Sequence, residues 1–346
     1  MPTVLVAVDM GANPMTAGAA AEPRRAIVHH LLAPRAEVLV LSDLSDAEMR
    51  AALPRVDVVL ISGFPRDLSP DAWRAMSRLR MVQTLLAGVD HLPYERFPSG
   101  VTICSNAGAF DVSMPEHAIA LVLAAAKNVV ALDRAIREGG FDQSRMGLAL
   151  RGATLGVIGL GGIGGGVAAR ANALGMRVIG LNRSGRTTAP VDFVGTMEDL
   201  ERILRESDVL VLALPLTKDT VELIGTRELA WMKPNAILVN VARGKLVVEA
   251  DLYDHLRTHP EFRAALDVWW QYPRARGGRP FTKPFHELPN VIMTPHIGWA
   301  VPEQDARSFE AACENIARFL DGETPRNVVD PRDYDFGAPD EPSPKI

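Results

Sequence analysis

Ala153-Thr-Leu-Gly-Val-Ile-Gly-Leu-Gly-Gly-Ile-Gly164 decides the fold of this 346-residue chain. A short apolar run, Leu155 to Ile158, meets Gly159-x-Gly161-x-x-Gly164 at once, and a helix-compatible stretch, Val167 to Leu174, follows. Such an order describes a strand, a tight turn and a helix start able to hold a pyrophosphate. Gly159 lets the chain turn sharply, Gly161 lets the backbone approach phosphates, and Gly164 lets the helix pack close to the strand. The helix amino terminus adds N–H groups and positive dipole. A glycine-rich loop with no ligand is the bland reading, and the strand–turn–helix context favours a dinucleotide over it.

The same alternation extends in both directions. Upstream, Val4–Val8, Val38–Leu41, Val56–Ile61, Met81–Leu85 and Val101–Cys104 read as strands, with helices near Glu22–Leu32, Ser45–Leu53 and Asp71–Leu79 between them. Ser113-Met-Pro-Glu116 has the form of a capping box, which predicts a long helix from Ser113 to about Glu138, stopped by Gly139-Gly140. A second series follows, with strands at Leu155–Ile158, Val178–Leu181, Asp192–Val194, Val209–Leu214, Ala236–Asn240, Ala264–Asp267 and Val291–Thr294. A last helix is expected over about Pro302–Leu320, then a poorly ordered tail rich in Pro, Asp and Gly. Strands alternating with helices imply parallel sheets, so the expected class is α/β.

Composition narrows the function. At 47% hydrophobic the chain can bury sizeable cores, and its length suggests two domains. The formal charge is −5 and no basic run stands out, so a nucleic-acid partner is not expected. The two cysteines, Cys104 and Cys313, carry no motif and read as small buried hydrophobes in a reducing compartment, with neither a disulfide framework nor a metal site. The first residues lack the basic n-region of a signal peptide and read as a strand. The most apolar segment, Ala118–Leu132, is interrupted by Lys127 and Asn128 and is too short to span a bilayer. A cytoplasmic protein without membrane contact is the expectation.

In open parallel sheets ligands bind at the carboxyl ends of the strands. Gly159, Asn182-Arg183, Pro215, Arg243, Asp267 and His296 all follow or close strands of the second series. Arg243 suits a carboxylate anchor, because a guanidinium grips two oxygens and keeps its charge; a structural ion pair is its alternative. His296 suits a general acid/base for an alcohol–ketone pair, although a lone histidine after a strand is usually structural. His117, on the long helix, reads as a packing or capping residue near the site.

Taken together, Leu86-Ala-Gly-Val-Asp90, Met114-Pro-Glu-His117, the glycine bend, Leu214-Pro-Leu-Thr217, Asn240-x-x-Arg-Gly244, Ala265-Leu-Asp-Val268 and Thr294-Pro-His-Ile-Gly298 closely resemble the D-isomer-specific 2-hydroxyacid dehydrogenase family, from about Val56 to Val328. The resemblance implies two Rossmann-like or flavodoxin-like domains with a cleft between them. Residues 1–110 plus 296–330 would bind substrate, 111–295 would bind the dinucleotide, and 331–346 would be a flexible tail. It further implies that backbone near Ala87, Gly88 and Val89 helps hold the substrate carboxylate. The implied cofactor contacts add Gly162, Ile163, Ser184, Leu214, Thr220, Val241, Ala242 and Gly298 to the strand-end residues. The long helix and its following loop would build a homodimer. The implied reaction, of glyoxylate or hydroxypyruvate type, reduces a small 2-oxo acid: Arg243 holds the carboxylate and His296 protonates the oxygen.

Three departures from the family pattern stand out. Where a glutamate usually pairs with the histidine, this chain has Tyr272; Gln271 or Glu287 are the alternatives for orienting His296, and without a carboxylate His296 is expected to be a weaker base. Where an aspartate usually takes the ribose hydroxyls, Asn182 stands with Arg183 and Arg186 nearby, which favours NADP(H) over NAD(H). The stretch Pro273–Pro289, with Arg274, Arg276, Arg279 and Lys283, reads as a solvated loop, with steering of acidic substrates as its alternative. Trp299 would narrow the site or stack on substrate, while Trp269 and Trp270 read as packing. Two rival functions stay open: a dehydrogenase of another small anion such as formate or phosphite, and a nucleotide-sensing corepressor, against which Arg243 and His296 count.

Overall fold

The computed structural model describes residues 1–8, 10, 21–62, 68–273 and 278–336. Arg274 and Arg276, and residues 337–346 of the expected tail, lie outside these. The chain divides into two compact units, one of residues 1–110 with 300–334, the other of 111–299 with 335–346.

The first unit is a five-stranded parallel sheet covered by helices. Its elements are β1 (Thr3–Ala7), α1 (Ala21–Leu32), β2 (Glu37–Val40), α2 (Asp46–Ala52), β3 (Val58–Ile61), α3 (Pro70–Ala75), β4 (Met81–Thr84) and β5 (Thr102–Cys104). The strand order β2-β1-β3-β4-β5 is that of a flavodoxin-like fold. Strands β1, β3 and β4 are buried along their whole length, as strands of a parallel sheet covered by helices should be.

The second unit opens with α4 (Ser113–Ala126) and α5 (Val129–Arg137). Then come β6 (Thr154–Ile158), α6 (Gly162–Ala173), β7 (Arg177–Leu181), β8 (Phe193–Gly195), α7 (Leu200–Glu206), β9 (Val209–Leu212), α8 (Thr226–Trp231), β10 (Ile237–Asn240), α9 (Glu249–Thr258), β11 (Arg263–Leu266) and β12 (Val291–Met293). The seven parallel strands run β12-β11-β10-β9-β6-β7-β8, the doubly wound order of a Rossmann fold. Its topological switch point lies between β6 and β9, where the glycine bend leaves the sheet. The last helix, α10 (Gln304–Leu320), returns to the first unit, where it packs along α1 and β4.

One device recurs in both sheets. The Thr3 N–H donates to the buried Asp57 carboxylate at 2.9 Å, and the Thr154 N–H donates to Asp208 at 2.8 Å. Each clip joins the start of a first strand, β1 or β6, to the residue just before an adjacent strand, β3 or β9, at the same separation of 54 residues. Basic side chains complete them: Arg78 at 3.1 Å from Asp57, and Lys233 at 2.7 Å from Asp208.

Four expectations change. Ser113 is the first residue of α4 and is buried, with Val112 at the cap and no side-chain cap hydrogen bond, so the capping box does not form. The long helix breaks at Asn128, which sits at φ +56°, a left-handed conformation that Asn tolerates better than most residues. Pro331–Tyr334, expected as tail, forms a 3₁₀ turn whose Tyr334 ring stacks on Tyr94 at 5.4 Å. The 278–289 stretch is anchored rather than solvated: Phe281 and Phe285 pack with Trp269 and Trp270, and the Thr282 and Lys283 N–H groups donate to Glu249.

Both cysteines are buried, and burial pushes their thiols up, to about 11 for Cys104 and about 12 for Cys313, in keeping with small packed side chains. No helix among the described residues is long and apolar enough to cross a membrane.

The bend after β6 is where close packing is most demanding. A Cβ on Gly164 would sit 1.8 Å from the Gly159 carbonyl oxygen. Gly164→Ala is therefore expected to lower the stability of the second unit by about 2 kcal/mol, the cost of overpacking a tight site. Chemical denaturation followed by Trp269 and Trp270 fluorescence measures it, and an unchanged midpoint would contradict the reading.

Candidate active site

The glycine bend takes the conformation its sequence demands. Gly159 is left-handed at φ +98°, and a Cβ there would meet the Ala213 carbonyl oxygen at 2.4 Å, so β6 and the end of β9 approach as only glycine allows. Gly161 caps α6, which begins at Gly162 with Ile163 and Gly164 in its first turn. No side chain caps that helix, and a Cβ on Gly161 would meet nothing within 4 Å. Gly161 and Gly162 are exposed at the start of a 12-residue helix, an arrangement that fits a pyrophosphate. Helix α4 supports the bend from behind: a Cβ on Gly166 would lie 2.6 Å from Pro115 Cγ.

The loop after β7 is organised by Asn182. Its Oδ1 accepts from the Ser184 N–H at 3.1 Å, and its Nδ2 donates to the Arg186 carbonyl at 2.6 Å. Arg183, Ser184 and Arg186 are exposed on the resulting turn. After β9, the Leu214–Thr220 segment is closed on itself: the Thr220 hydroxyl donates to the Pro215 carbonyl at 2.8 Å and accepts from the Thr217 N–H at 2.8 Å.

Arg243 follows β10 on a turn held by the buried Asn240. The Asn240 Oδ1 accepts from the Ala242 N–H at 3.1 Å, and its Nδ2 donates to the Arg243 carbonyl at 2.8 Å. Val241 is buried and the Arg243 guanidinium donates to the Ala242 carbonyl at 2.8 Å. The next residue, Gly244, presses on the backbone of Trp269, where a Cβ would come within 2.2 Å.

His296 lies on the turn after β12 at φ +57°, a strained conformation for a residue with a Cβ. The turn is wrapped around Asp267, which is fully buried at the end of β11. The Asp267 carboxylate accepts from the Thr294 hydroxyl at 2.6 Å, the Ile297 N–H at 3.0 Å and the Gly298 N–H at 3.1 Å. His117 Nε2 stands 3.4 Å from the same carboxylate. Burial alone would raise the acid's pKa; the hydrogen bonds from His117, Thr294 and the two amides outweigh it and hold Asp267 below its ordinary value of 3.8. Two indoles brace the turn: Trp269 Nε1 donates to the Thr294 carbonyl at 2.9 Å, and Trp299 Nε1 to the His296 carbonyl at 3.0 Å.

Of the three residues expected beside His296, the structure brings up Tyr272, whose ring centroid is 5.4 Å from the imidazole at 46°. The phenol oxygen accepts from the Trp269 N–H at 3.3 Å. Gln271 is exposed, and its backbone N–H bonds the Pro280 carbonyl; Glu287 pairs with its neighbour His286 at 3.5 Å. Trp299, expected against substrate, spends its N–H on the His296 turn. His117, expected as a packing or capping residue near the site, belongs to the Asp267 cluster; helical spacing placed it on α4 without naming its partner.

In the first unit the 86–89 loop is fixed from within. Thr84 Oγ1 donates to the Leu86 carbonyl at 2.7 Å, and the Tyr94 hydroxyl to the Val89 carbonyl at 3.0 Å; Val89 is buried, while Ala87 and Gly88 are half-buried. No group of three or more His, Cys, Asp or Glu side chains among the described residues could hold a metal ion.

Because the Asp267 carboxyl is lowered, it contributes stability that is complete above the ordinary carboxylate range and lost as pH falls through its lowered value. The indoles of Trp269 and Trp299 report on that turn. Their fluorescence should stay flat on acidification until the pH drops below 3.8, and a transition complete above that pH would show that Asp267 does not hold the turn.

Comparison with known proteins identifies the family. The family described as D-isomer specific 2-hydroxyacid dehydrogenase, NAD binding domain, matches residues 119–298. A glyoxylate reductase of Korarchaeum cryptofilum is 34% identical over 276 residues, 78% of this chain and 82% of that protein. A D-3-phosphoglycerate dehydrogenase of Archaeoglobus fulgidus is 32% identical over 310 residues, 88% of this chain, although the chain spans only 58% of that relative's length. Among solved structures, an NADPH-dependent glyoxylate/hydroxypyruvate reductase from Sinorhizobium meliloti, in complex with NADP and sulfate, superposes with a TM-score of 0.76 at 25% identity, covering 96% of this chain and 100% of that one. From its bend, its strand-end residues and these relatives, the chain belongs to the D-isomer-specific 2-hydroxyacid dehydrogenase family.

Proposed function

We propose that the chain is an NAD(P)-dependent oxidoreductase that reduces a small 2-oxo acid, of glyoxylate or hydroxypyruvate type, to the D-2-hydroxy acid. One observation carries the reading. Arg243 and His296 stand on rigid turns after β10 and β12, on either side of β11, at the sheet edge where the glycine bend opens.

A guanidinium on the Asn240-held turn would grip the substrate carboxylate and polarise the neighbouring carbonyl. The amides of Ala87, Gly88 and Val89 would add donors to that carboxylate. The hydride for the carbonyl carbon would come from a nicotinamide whose pyrophosphate the glycine bend holds. His296 gives its proton to the oxygen, so one carbon–oxygen double bond becomes an alcohol and the charges balance. Tyr272 flanks the imidazole and limits how it can turn. The kinship with glyoxylate reductases fits a small substrate.

For the cofactor, the Asn182 turn presents Arg183, Ser184 and Arg186 where a carboxylate would repel a 2′-phosphate, which supports NADP(H) over NAD(H). For assembly, α5 has no buried residue and exposes Val129, Val130 and Ile136 at 53%, 49% and 57%; a second copy of the chain is the occupant we propose for that face.

Steady-state oxidation of NADPH and NADH with glyoxylate, hydroxypyruvate and, in reverse, formate tests the reading. Arg243→Gln and His296→Asn should each lower kcat/KM by roughly 100-fold or more; Asn is chosen because it tolerates the left-handed backbone. Asn182→Asp with Arg183→Ala should move preference toward NADH by roughly tenfold. Full activity in both single variants would end the assignment, and turnover of formate alone would replace the substrate class.

A further inference from the structure

We propose that His117 is a positioning residue for His296, acting through the Asp267 carboxylate; this rests on the reading of His296 as proton donor.

His117 is fixed on α4, a helix buried along the face where its neighbours Met114, Pro115 and Ala118 pack. Its Nε2 lies 3.3 Å from Thr294 Oγ1 and 3.4 Å from Asp267 Oδ1. The chemistry of these partners decides what the nitrogen carries. The single Thr294 hydroxyl proton is spent on Asp267 at 2.6 Å, so toward His117 that oxygen can only accept. A carboxylate can only accept as well. Both partners of Nε2 are therefore acceptors, and Nε2 must bear the hydrogen. His117 thus closes a ring of donors around a carboxylate that is 0% exposed.

The ring also lies on the turn. A Cβ on Gly298 would come within 2.8 Å of His117 Cδ2, so the imidazole lies close against the backbone two residues after His296. Asp267, in turn, takes the Ile297 and Gly298 amides on either side of its carboxylate, and these follow His296 directly in the chain. The path from α4 to the proposed proton donor is consequently short: His117 N–H to Asp267, Asp267 to the Ile297 and Gly298 amides, and those amides to the left-handed residue that precedes them. His117 touches no reacting atom in this scheme. It restrains the carboxylate on which the strained turn depends.

The test compares His117→Phe, which keeps a ring and loses the donor, with His117→Gln, which returns an N–H near the Nε2 position. His117→Leu replaces the Phe variant if that one does not fold. Two readouts are taken on the full chain: amide hydrogen exchange at Ile297 and Gly298, and kcat against KM for glyoxylate with NADPH. His117→Phe should exchange those two amides about tenfold faster and lose about tenfold in kcat with KM little changed, in line with one lost hydrogen bond to a charged group. His117→Gln should recover most of both. Unchanged exchange in the Phe variant, or a Gln variant as impaired as the Phe variant, would overturn the proposal. If the wild-type chain turns over no 2-oxo acid, the proposed reaction falls, and the exchange measurements still decide whether His117 holds the turn.

Discussion

The carboxylate of Asp267 is the group on which the carboxyl edge of the larger sheet depends. A buried charge is costly unless each of its lone pairs finds a donor, and here the donors are a hydroxyl, two consecutive amides and an imidazole. Collecting the amides of residues 297 and 298 onto one carboxylate bends the chain sharply. That bend is what forces residue 296 into a conformation most side chains avoid. A histidine held this way loses rotational freedom before any ligand arrives, so less order must be imposed at the moment of reaction.

The two proposed catalytic side chains are not independent of each other. Gly244 packs on the Trp269 backbone, and the Trp269 indole bonds the Thr294 carbonyl. The arginine turn, the segment after β11 and the histidine turn are thereby braced in series. Tyr272 joins the same brace through the Trp269 amide, and Phe281 and Phe285 pack on Trp269 and Trp270. Within residues 267–272 it is Asp267 and Trp269 that carry these contacts.

The sequence shows most where backbone sterics leave no choice. The glycines at 159 and 164 are required by approaches under 2.5 Å, whatever surrounds them, and the fully buried strands announce themselves as apolar runs. It shows least where a residue's role depends on a distant partner. The Ser113–Glu116 spacing looked like a cap, yet Ser113 is buried inside the first turn. The helix break at Asn128 needed one left-handed residue that is not glycine. The anchoring of residues 278–289 comes from Phe281 and Phe285, two aromatics among prolines, glycines and cations that suggested solvent. His117 was readable as a helix residue, but no local pattern pointed to a carboxylate 150 positions away.

The paired Thr–Asp clips sit at the amino-terminal rims of their sheets, across the strands from every residue assigned a chemical role. Rigidity is anchored on one side and reactivity displayed on the other. Loops on the carboxyl side can therefore be exchanged or lengthened while the strands keep their register, so that variation there is uncoupled from the framework that tolerates it.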